Sequence, residues 1–307
     1  MQKEMTREEI RAALTGPVGS VRTPFLQNGD IDYDGLRSVI DFNIDGGSET
    51  VLLTAGDSNY LLLDDEEILK VTQIATEHTA GRAMVVAADR YYWTERSVEF
   101  GRQTRQMGAD VLMALPPDWA SSCTVQTLSE HFAAVAREIP VMVVTNIFSP
   151  RGIDFGLETL KVLLQKVPGI VAIKDDFCGQ FARRMSLLVH PYWAVFSGGQ
   201  KQNHLDLFPY GCDGYLSTYA SYCPRVAHEY WTAIEETRID KAREMVETYD
   251  MPLFDFLSEL RGGFDAGMHG MLELYGIARR WRRKPYHSLT DQEMDTLRSF
   301  LQGLSVL

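Results

Sequence analysis

Pro168-Gly169-Ile170-Val171-Ala172-Ile173-Lys174-Asp175-Asp176 holds a helix stop, a buried strand and a lysine at that strand's end. Segment 157–167 before it has helical periodicity, and Pro168-Gly169 closes it. The run Ile170–Ile173 is apolar throughout instead of alternating. A strand of that kind is buried on both faces, as in a parallel sheet covered by helices.

The same unit recurs in both directions along the chain. Apolar runs stand at 18–24, 50–55, 83–88, 110–115, 141–147, 170–174, 194–197 and 214–218. Helical patterns fill 34–44, 64–78, 94–107, 127–138, 157–167 and 203–210, and most end at a glycine such as Gly46, Gly81, Gly108 or Gly211. Eight units in about 200 residues predict an α/β fold, a closed (β/α)8 TIM barrel over residues 1–222. An open dinucleotide-binding sheet would need GxGxxG after the first strand. The chain has Thr23-Pro24-Phe25-Leu26-Gln27-Asn28-Gly29-Asp30 there, a turn without a phosphate cradle. Residues 223–307 carry further helical patterns at 225–236, 240–258, 267–280 and 291–302, read as a C-terminal helical extension packed on the barrel with no linker.

Composition narrows the function classes. A formal charge of −12 disfavours a nucleic-acid partner, which needs clustered cations. The one basic run, Arg279-Arg280-Trp281-Arg282-Arg283-Lys284, is read as a solvated helix end stopped by Pro285. Cys123, Cys178, Cys212 and Cys223 form no CxxC pair, so neither a disulfide frame nor a zinc site is expected. The charged start has no apolar signal core, and no run approaches 18 apolar residues. These features predict a cytoplasmic, enzyme-sized protein with no membrane span and no zinc site; the expectation of no metal and no cofactor comes with the imine chemistry and the family resemblance below.

In a barrel of this kind the active site lies at the C-terminal ends of the strands. Standing there are Thr54-Ala55-Gly56-Asp57-Ser58-Asn59, Pro116-Pro117-Asp118, Thr145-Asn146, Lys174-Asp175-Asp176, Ser197-Gly198-Gly199 and Ser217-Thr218. Burying an ammonium is costly, and burial drives lysine toward the neutral amine. A neutral amine attacks a carbonyl and yields an iminium, an electron sink for breaking or making the adjacent C–C bond. The other reading is a structural lysine paired with Asp175 or Asp176, and position alone leaves both open. Ser58, Ser197 and the turn Gly198-Gly199 add hydroxyls and N–H groups able to hold a carboxylate, which favours the imine.

These residues carry a resemblance. The chain resembles the dihydrodipicolinate synthase / N-acetylneuraminate lyase family of class I aldolases almost end to end. Thr23-Pro24-Phe25 with Asn28-Gly29-Asp30-Ile31-Asp32 is similar to the family's opening. Gly46-Gly47-Ser48 and Thr54-Ala55-Gly56-Asp57 stand where it has GTTGE. Ile173-Lys174-Asp175 resembles its lysine strand, and Gly198 with Gly211-Cys212-Asp213-Gly214-Tyr215-Leu216-Ser217 resembles its ending. The resemblance implies that Lys174 forms the imine, that Thr54, Ala55 and Gly56 hold a pyruvyl carboxylate, that the partner is a small 2-oxo acid, and that the protein is a homotetramer. The departures bear on chemistry. The family places a proton-relaying tyrosine before asparagine after strand five; here Thr145 precedes Asn146. Arg151 stands near the arginine that synthases use for a second substrate, in a loop longer by about one residue. The resulting expectation is a catalytic set of Lys174, Thr145 and Thr54. Ala55, Gly56, Asp57, Gly198, Ser217, Arg151 and Asp118 are expected to bind substrate. Asp118, Thr145, Thr54 with a water, and Tyr219 are the candidates for the missing proton transfer.

Two rival classes stand beside this reading: a non-catalytic relative that binds a carboxylate ligand, and a metal-dependent aldolase, which would need a His and Glu/Asp cluster at strand ends. Of the remaining residues, Tyr91-Tyr92-Trp93 is read as a loop tip that lines the pocket or packs on a neighbouring subunit, with packing favoured, and Asp89-Arg90 as a contact for an acidic substrate. His204 and His269 are read as structural, and no GxSxG motif supports serine hydrolysis.

Overall fold

The computed structural model describes residues 4–307, and each apolar run of the sequence forms one strand. In chain order these are β1 (Gly16–Val18), β2 (Thr50–Leu52), β3 (Met84–Ala88), β4 (Val111–Ala114), β5 (Val141–Val144), β6 (Ile170–Asp175), β7 (Ala194–Ser197) and β8 (Gly214–Leu216). All neighbours pair in parallel, in the order β1-β8-β7-β6-β5-β4-β3-β2. The two ends meet through a parallel bridge between Ser20 and Leu52, with Val21 N–H donating to Leu52 O at 2.9 Å. This contact closes the sheet into the expected (β/α)8 barrel.

Helix α1 (Arg7–Ala13) precedes the barrel. Then α2 (Tyr33–Asp45), α3 (Asp65–Thr79), α4 (Thr94–Met107), α5 (Val125–Val135), α6 (Ile153–Lys166), α7 (Gly179–Val189), α8 (Gln200–Leu207) and α9 (Pro224–Glu235) each follow one strand. Their starts obey capping rules: Asp64 and Glu67 exchange side-chain and backbone bonds in a capping box on α3. Gly108 ends α4 at φ 103°, in the left-handed region that glycine enters without a steric penalty. One irregularity lies under the future site. Val141 pairs with Ile170 but Met142 pairs with Ala172, so Val171 is an extra residue in β6. A one-residue shift exchanges the two faces of a strand, and here it sets the register in which Lys174 stands beside Val144 and Phe196.

Beyond the barrel come α10 (Ile239–Met245), α11 (Met251–Glu259), α12 (Gly263–Leu274) and α13 (Asp291–Gly303). The single helix expected over 240–258 is interrupted by a π-helical turn at Val246–Asp250, just before Pro252, which has no N–H to donate. That turn presents Asp250 to Lys201 of α8 at 2.6 Å, with both side chains fully buried. The Tyr219 ring lies 4.2 Å from the same ammonium.

Two sequence readings are corrected. The first strand, expected over 18–24, forms its ladder at Gly16–Val18; Thr23 instead turns its hydroxyl onto Ser58 O at 2.7 Å. The basic run 279–284 is not a solvated helix end. Helix α12 stops at Leu274 because Gly276 takes φ 70°, and three of the arginines beyond it are individually paired. Arg280 meets Glu273 and Asp291, Arg282 meets Asp265, and Arg283 grips Glu67 of α3 at 2.7 Å.

At the seam between β8 and β1 the backbones approach closely at Gly214. A Cβ on Gly214 would overlap the Leu14 carbonyl and come within 2.6 Å of the Gly16 carbonyl. Gly214→Ala is therefore expected to cost about 3 kcal/mol, in the range of overpacked cores. Urea denaturation measures it, and a change below about 0.5 kcal/mol would contradict the tight seam.

Candidate active site

At the C-terminal ends of the strands lies a cavity of about 290 Å³. Its apolar floor comes from Met113, Leu115, Val144 and Leu216. Its polar wall holds Thr54, Ala55, Gly56 and Asp57 after β2, Tyr91 after β3, Asn146 after β5, Lys174 and Asp176 of the β6 end, and Gly198 after β7.

Lys174 is the next-to-last residue of β6, and its side chain is only 8% exposed. Its Nζ donates to Asp176 Oδ1. The turn that brings Asp176 back over the lysine is held from behind. Thr145 Oγ1 accepts from Asp176 N–H at 2.8 Å and Phe177 N–H at 3.2 Å, and donates to Asp175 Oδ1 at 2.9 Å. Asp175 also accepts from Cys178 N–H at 3.1 Å. Burial nevertheless raises its pKa above the ordinary carboxylate value, against the lowering effect of these donors. Across the turn, Gly198 N–H donates to Asp175 O at 2.9 Å. A Cβ on Gly198 would collide with Asp176 Oδ1 and lie 2.7 Å from Lys174 Nζ, so only glycine leaves room for the pair.

The opposite wall is a turn fixed by Ser58. Its hydroxyl accepts from Thr54 N–H at 3.0 Å and donates to Val21 O at 2.6 Å, tying the β1 and β2 ends together. Inside the turn, Asp57 N–H bonds Thr54 Oγ1, Ser58 N–H bonds Thr54 O, Asn59 N–H bonds Gly56 O, and Tyr60 N–H bonds Ala55 O. None of these uses the N–H of Ala55 or Gly56. Arg22, itself buried, braces Asp57 at 3.3 Å from behind the wall.

Several expected residues do not join this cavity. Thr145 is fully buried behind it, because the chain leaves β5 in a 3-10 turn (Thr145–Phe148) that presents Asn146 in its place. Arg151 Nη1 is held by Asp118 Oδ2 and Cys123 O, both at 2.8 Å, with its guanidinium over Phe155. Asp118 is buried, but the Cys123 N–H and the Arg151 guanidinium outweigh that burial and lower its pKa, the opposite of a raised general base. Ser217 Oγ accepts from Ala220 N–H at 3.2 Å, and Tyr219 donates to Tyr249 O at 2.9 Å, both outside the cavity. Arg90 likewise turns away, onto Tyr60 O, Leu63 O and Asp65. Lys174, Thr54, Ala55, Gly56, Asp57 and Gly198 do come together. Asp176, Asn146 and Tyr91 complete the wall: Asp176 was expected only as a possible ion-pair partner of the lysine, Tyr91 as one of two readings of its loop tip, and Asn146 only by its place at a strand end.

Asp89 supports the site from below. It is fully buried, accepting from Ser97 Oγ and Leu115 N–H, each at 2.8 Å, and burial pushes its pKa up to about 7. His204 and His269 are buried, with pKa values pushed down to about 3 and about 4 by burial. A wider cavity of about 1080 Å³ opens at the other end of the strands. Its Arg7 and Arg11 are engaged by the carbonyls of Pro168, Tyr192, His190 and Trp193, and that face of a barrel serves stability. Among the described residues, no group of three or more His, Cys, Asp or Glu could hold a metal ion, and no helix is long and apolar enough to cross a membrane.

The chain is similar to known proteins in sequence and in fold. The dihydrodipicolinate synthetase family model matches residues 13–304. The 4-hydroxy-tetrahydrodipicolinate synthase of Nitrosomonas europaea is 32% identical over 236 residues, 75% of this chain and 79% of that protein. Two crystal structures share the fold. Dihydrodipicolinate synthase from Oceanobacillus iheyensis has a TM-score of 0.83 at 20% identity, covering 98% of this chain and 100% of that one. N-acetylneuraminate lyase from Fusobacterium nucleatum complexed with pyruvate has 0.82 at 19%, covering 95% and 98%.

The raised pKa of Asp89 has a sign that can be measured. In the unfolded chain the group ionises near pH 3.9, whereas in the fold it stays protonated to about 7. The stability it contributes is therefore complete below pH 4 and lost as pH rises toward 7. Asp89→Asn removes the charge: its carbonyl can accept from Leu115 N–H while its NH2 donates to Ser97 Oγ, whose own O–H turns to Tyr92 O. Its melting temperature relative to the native protein is expected to rise between pH 5 and pH 8, and parallel pH profiles would contradict the assignment.

Proposed function

The chain belongs to the dihydrodipicolinate synthetase family of class I lyases, and from that premise we propose that Lys174 forms a Schiff base with pyruvate or a related 2-oxo acid. The observation that carries this reading is the position of Lys174 Nζ. It is the one lysine amine lining the cavity among the described residues, set opposite a turn whose Ala55 and Gly56 N–H groups are not used internally. A carboxylate on those N–H groups and on the Thr54 hydroxyl would present the adjacent carbonyl toward the amine. Attack joins nitrogen to C2, and loss of water leaves an iminium that can accept the electron pair of a breaking bond at C3.

Two outcomes share that iminium: cleavage of an aldol to pyruvate and an aldehyde, or elimination of a β-hydroxyl as water. The cavity volume of about 290 Å³ is at the low end for ligand sites, which supports a substrate little larger than the 2-oxo acid core. Arg151 and Asp118 are engaged with each other outside the cavity, which supports a second reactant different from the one a synthase holds with its arginine. Asp57, braced by Arg22, is placed to accept from a substrate hydroxyl.

Incubation with pyruvate and borohydride is expected to leave a reduced covalent adduct on Lys174, located by peptide mass spectrometry. Lys174→Ala is expected to lower kcat by ~10⁴-fold or more with the melting temperature near that of the native protein. No adduct with any of several 2-oxo acids, together with ligand-induced stabilisation that survives Lys174→Met, would replace this reading with a carboxylate binder.

A further inference from the structure

We propose that Asp176 is the proton-transfer residue of imine formation and that Thr145 positions it, so that a carboxylate beside Nζ performs what a hydroxyl in the cavity performs elsewhere in the family. The inference rests on the Schiff-base reading of Lys174.

Four titratable side chains line the cavity: Lys174, Asp57, Tyr91 and Asp176. Asp57 is engaged by Arg22 at 3.3 Å, and Tyr91 is 46% exposed on the loop after β3. Among the described residues, only Asp176 is hydrogen-bonded to the reacting nitrogen. Its side chain is 31% exposed, so it meets both the amine and the solvent of the cavity. Its place is built and does not depend on chance side-chain rotation. Thr145 Oγ1 holds the Asp176 N–H at 2.8 Å, Gly198 N–H holds the preceding carbonyl at 2.9 Å, and the missing Cβ of Gly198 leaves the space that the carboxylate fills.

The chemistry requires such a group. Asp176 takes one proton from the Lys174 ammonium, and the freed amine attacks C2. A C–N bond forms as the carbonyl π pair moves to oxygen. That oxygen receives the proton back from Asp176 to give the carbinolamine. A second nitrogen-bound proton then passes through the same carboxylate to the hydroxyl, which departs as water with the C–O bonding pair while the nitrogen lone pair closes the iminium. Ammonium and ketone thus become iminium and water. Both water hydrogens come from the ammonium, and no outside acid or base is consumed.

A plain ion pair would give the opposite result. A carboxylate that only neutralises Lys174 holds the amine in its unreactive charged form, so its removal would speed attack at neutral pH. The groups facing Asp176 are Lys174 and Asp175 on its own strand, Cys178 in the following turn, and Asp57 and Tyr91 across the cavity. Of these, Cys178 is pushed up to about 11 by burial and the nearby carboxylates, and so does not titrate near neutrality.

The test follows the rate of pyruvate adduct formation on the full-length protein, quenched with borohydride at intervals and across pH. Asp176→Asn is expected to slow the rate by ~10²- to 10³-fold, in the range of general acid–base catalysis, while reaching the same final adduct and losing the acidic limb of the pH profile. Added formate should restore Asp176→Ala in proportion to its concentration. Thr145→Val should slow the rate with little change in KM, and Thr145→Ser should recover it; this pair also serves if Asp176→Asn does not fold. Adduct formation in Asp176→Asn at or above the native rate overturns the proposal, as does loss of the pH limb in Tyr91→Phe instead. If the native protein forms no adduct, the Schiff-base reading itself fails, a result distinct from either.

Discussion

Eight strands of three to six residues each must leave no unpaired edge, and closing the sheet on itself is what meets that demand. The closing contact is small, one bridge between Ser20 and Leu52 with the Val21 N–H bonded to Leu52 O. Much of the site depends on it. The Ser58 hydroxyl that shapes the Thr54–Ser58 turn donates to Val21 O, so the turn keeps its form only while β1 and β2 are joined. Opposite, the seam of β8 on β1 admits no side chain at Gly214. Closure thus sets the distance across the barrel mouth between the turn after β2 and the lysine of β6.

Within that mouth the costly element is a nearly buried ammonium. Lys174 stays inside because one carboxylate meets it, and that carboxylate stays because its backbone is held by a threonine hydroxyl on the neighbouring strand end. The C-terminal helices bear on the opposite wall through charge. Arg22 reaches both Asp57 of the cavity and Asp265 of α12, while Arg282 takes the other oxygen of Asp265. A change in the helical extension can therefore reach Asp57 through two side chains, whereas Lys201–Asp250 ties the extension to α8 away from the cavity.

The fold was legible because burial on both faces writes itself as continuous apolar runs, and Ile170–Ile173 is such a run. Lys174 stood out because it ends that run, although its position alone left a structural ion pair open and only the polar strand ends and the family resemblance favoured the imine. Thr145 was expected in the cavity because it stands before Asn146 where the family has its tyrosine; the chain leaves β5 there in a 3-10 turn, and the short side chain stays buried behind the wall. The run 279–284 failed for a different reason. Its charges look alike in sequence, yet Arg280, Arg282 and Arg283 are paired with different acidic residues, and Gly276 had already ended the helix. Asp176 was visible only as a neighbour of the lysine. What aims it is a hydrogen bond from its own N–H to a residue 31 positions earlier, and no local pattern encodes that distance.

Thr145 and Asp176 are best understood as one change. A tyrosine before Asn146 would carry its hydroxyl out on a ring, away from the backbone that bears it. A threonine hydroxyl sits one atom from Cβ and can reach only what lies against the strand, here the N–H groups of Asp176 and Phe177 and the Asp175 carboxylate. The Thr145 hydroxyl therefore lies in the support of the turn and not in the cavity, and that turn brings the Asp176 carboxylate to the amine. The two arrangements differ in what they ask of the protein. A phenol in the cavity needs a partner to lower its affinity for its proton, because it ionises near pH 10. A carboxylate near neutrality is already a proton acceptor, and beside an ammonium it needs only to be held still, which Thr145 and Gly198 do from either side.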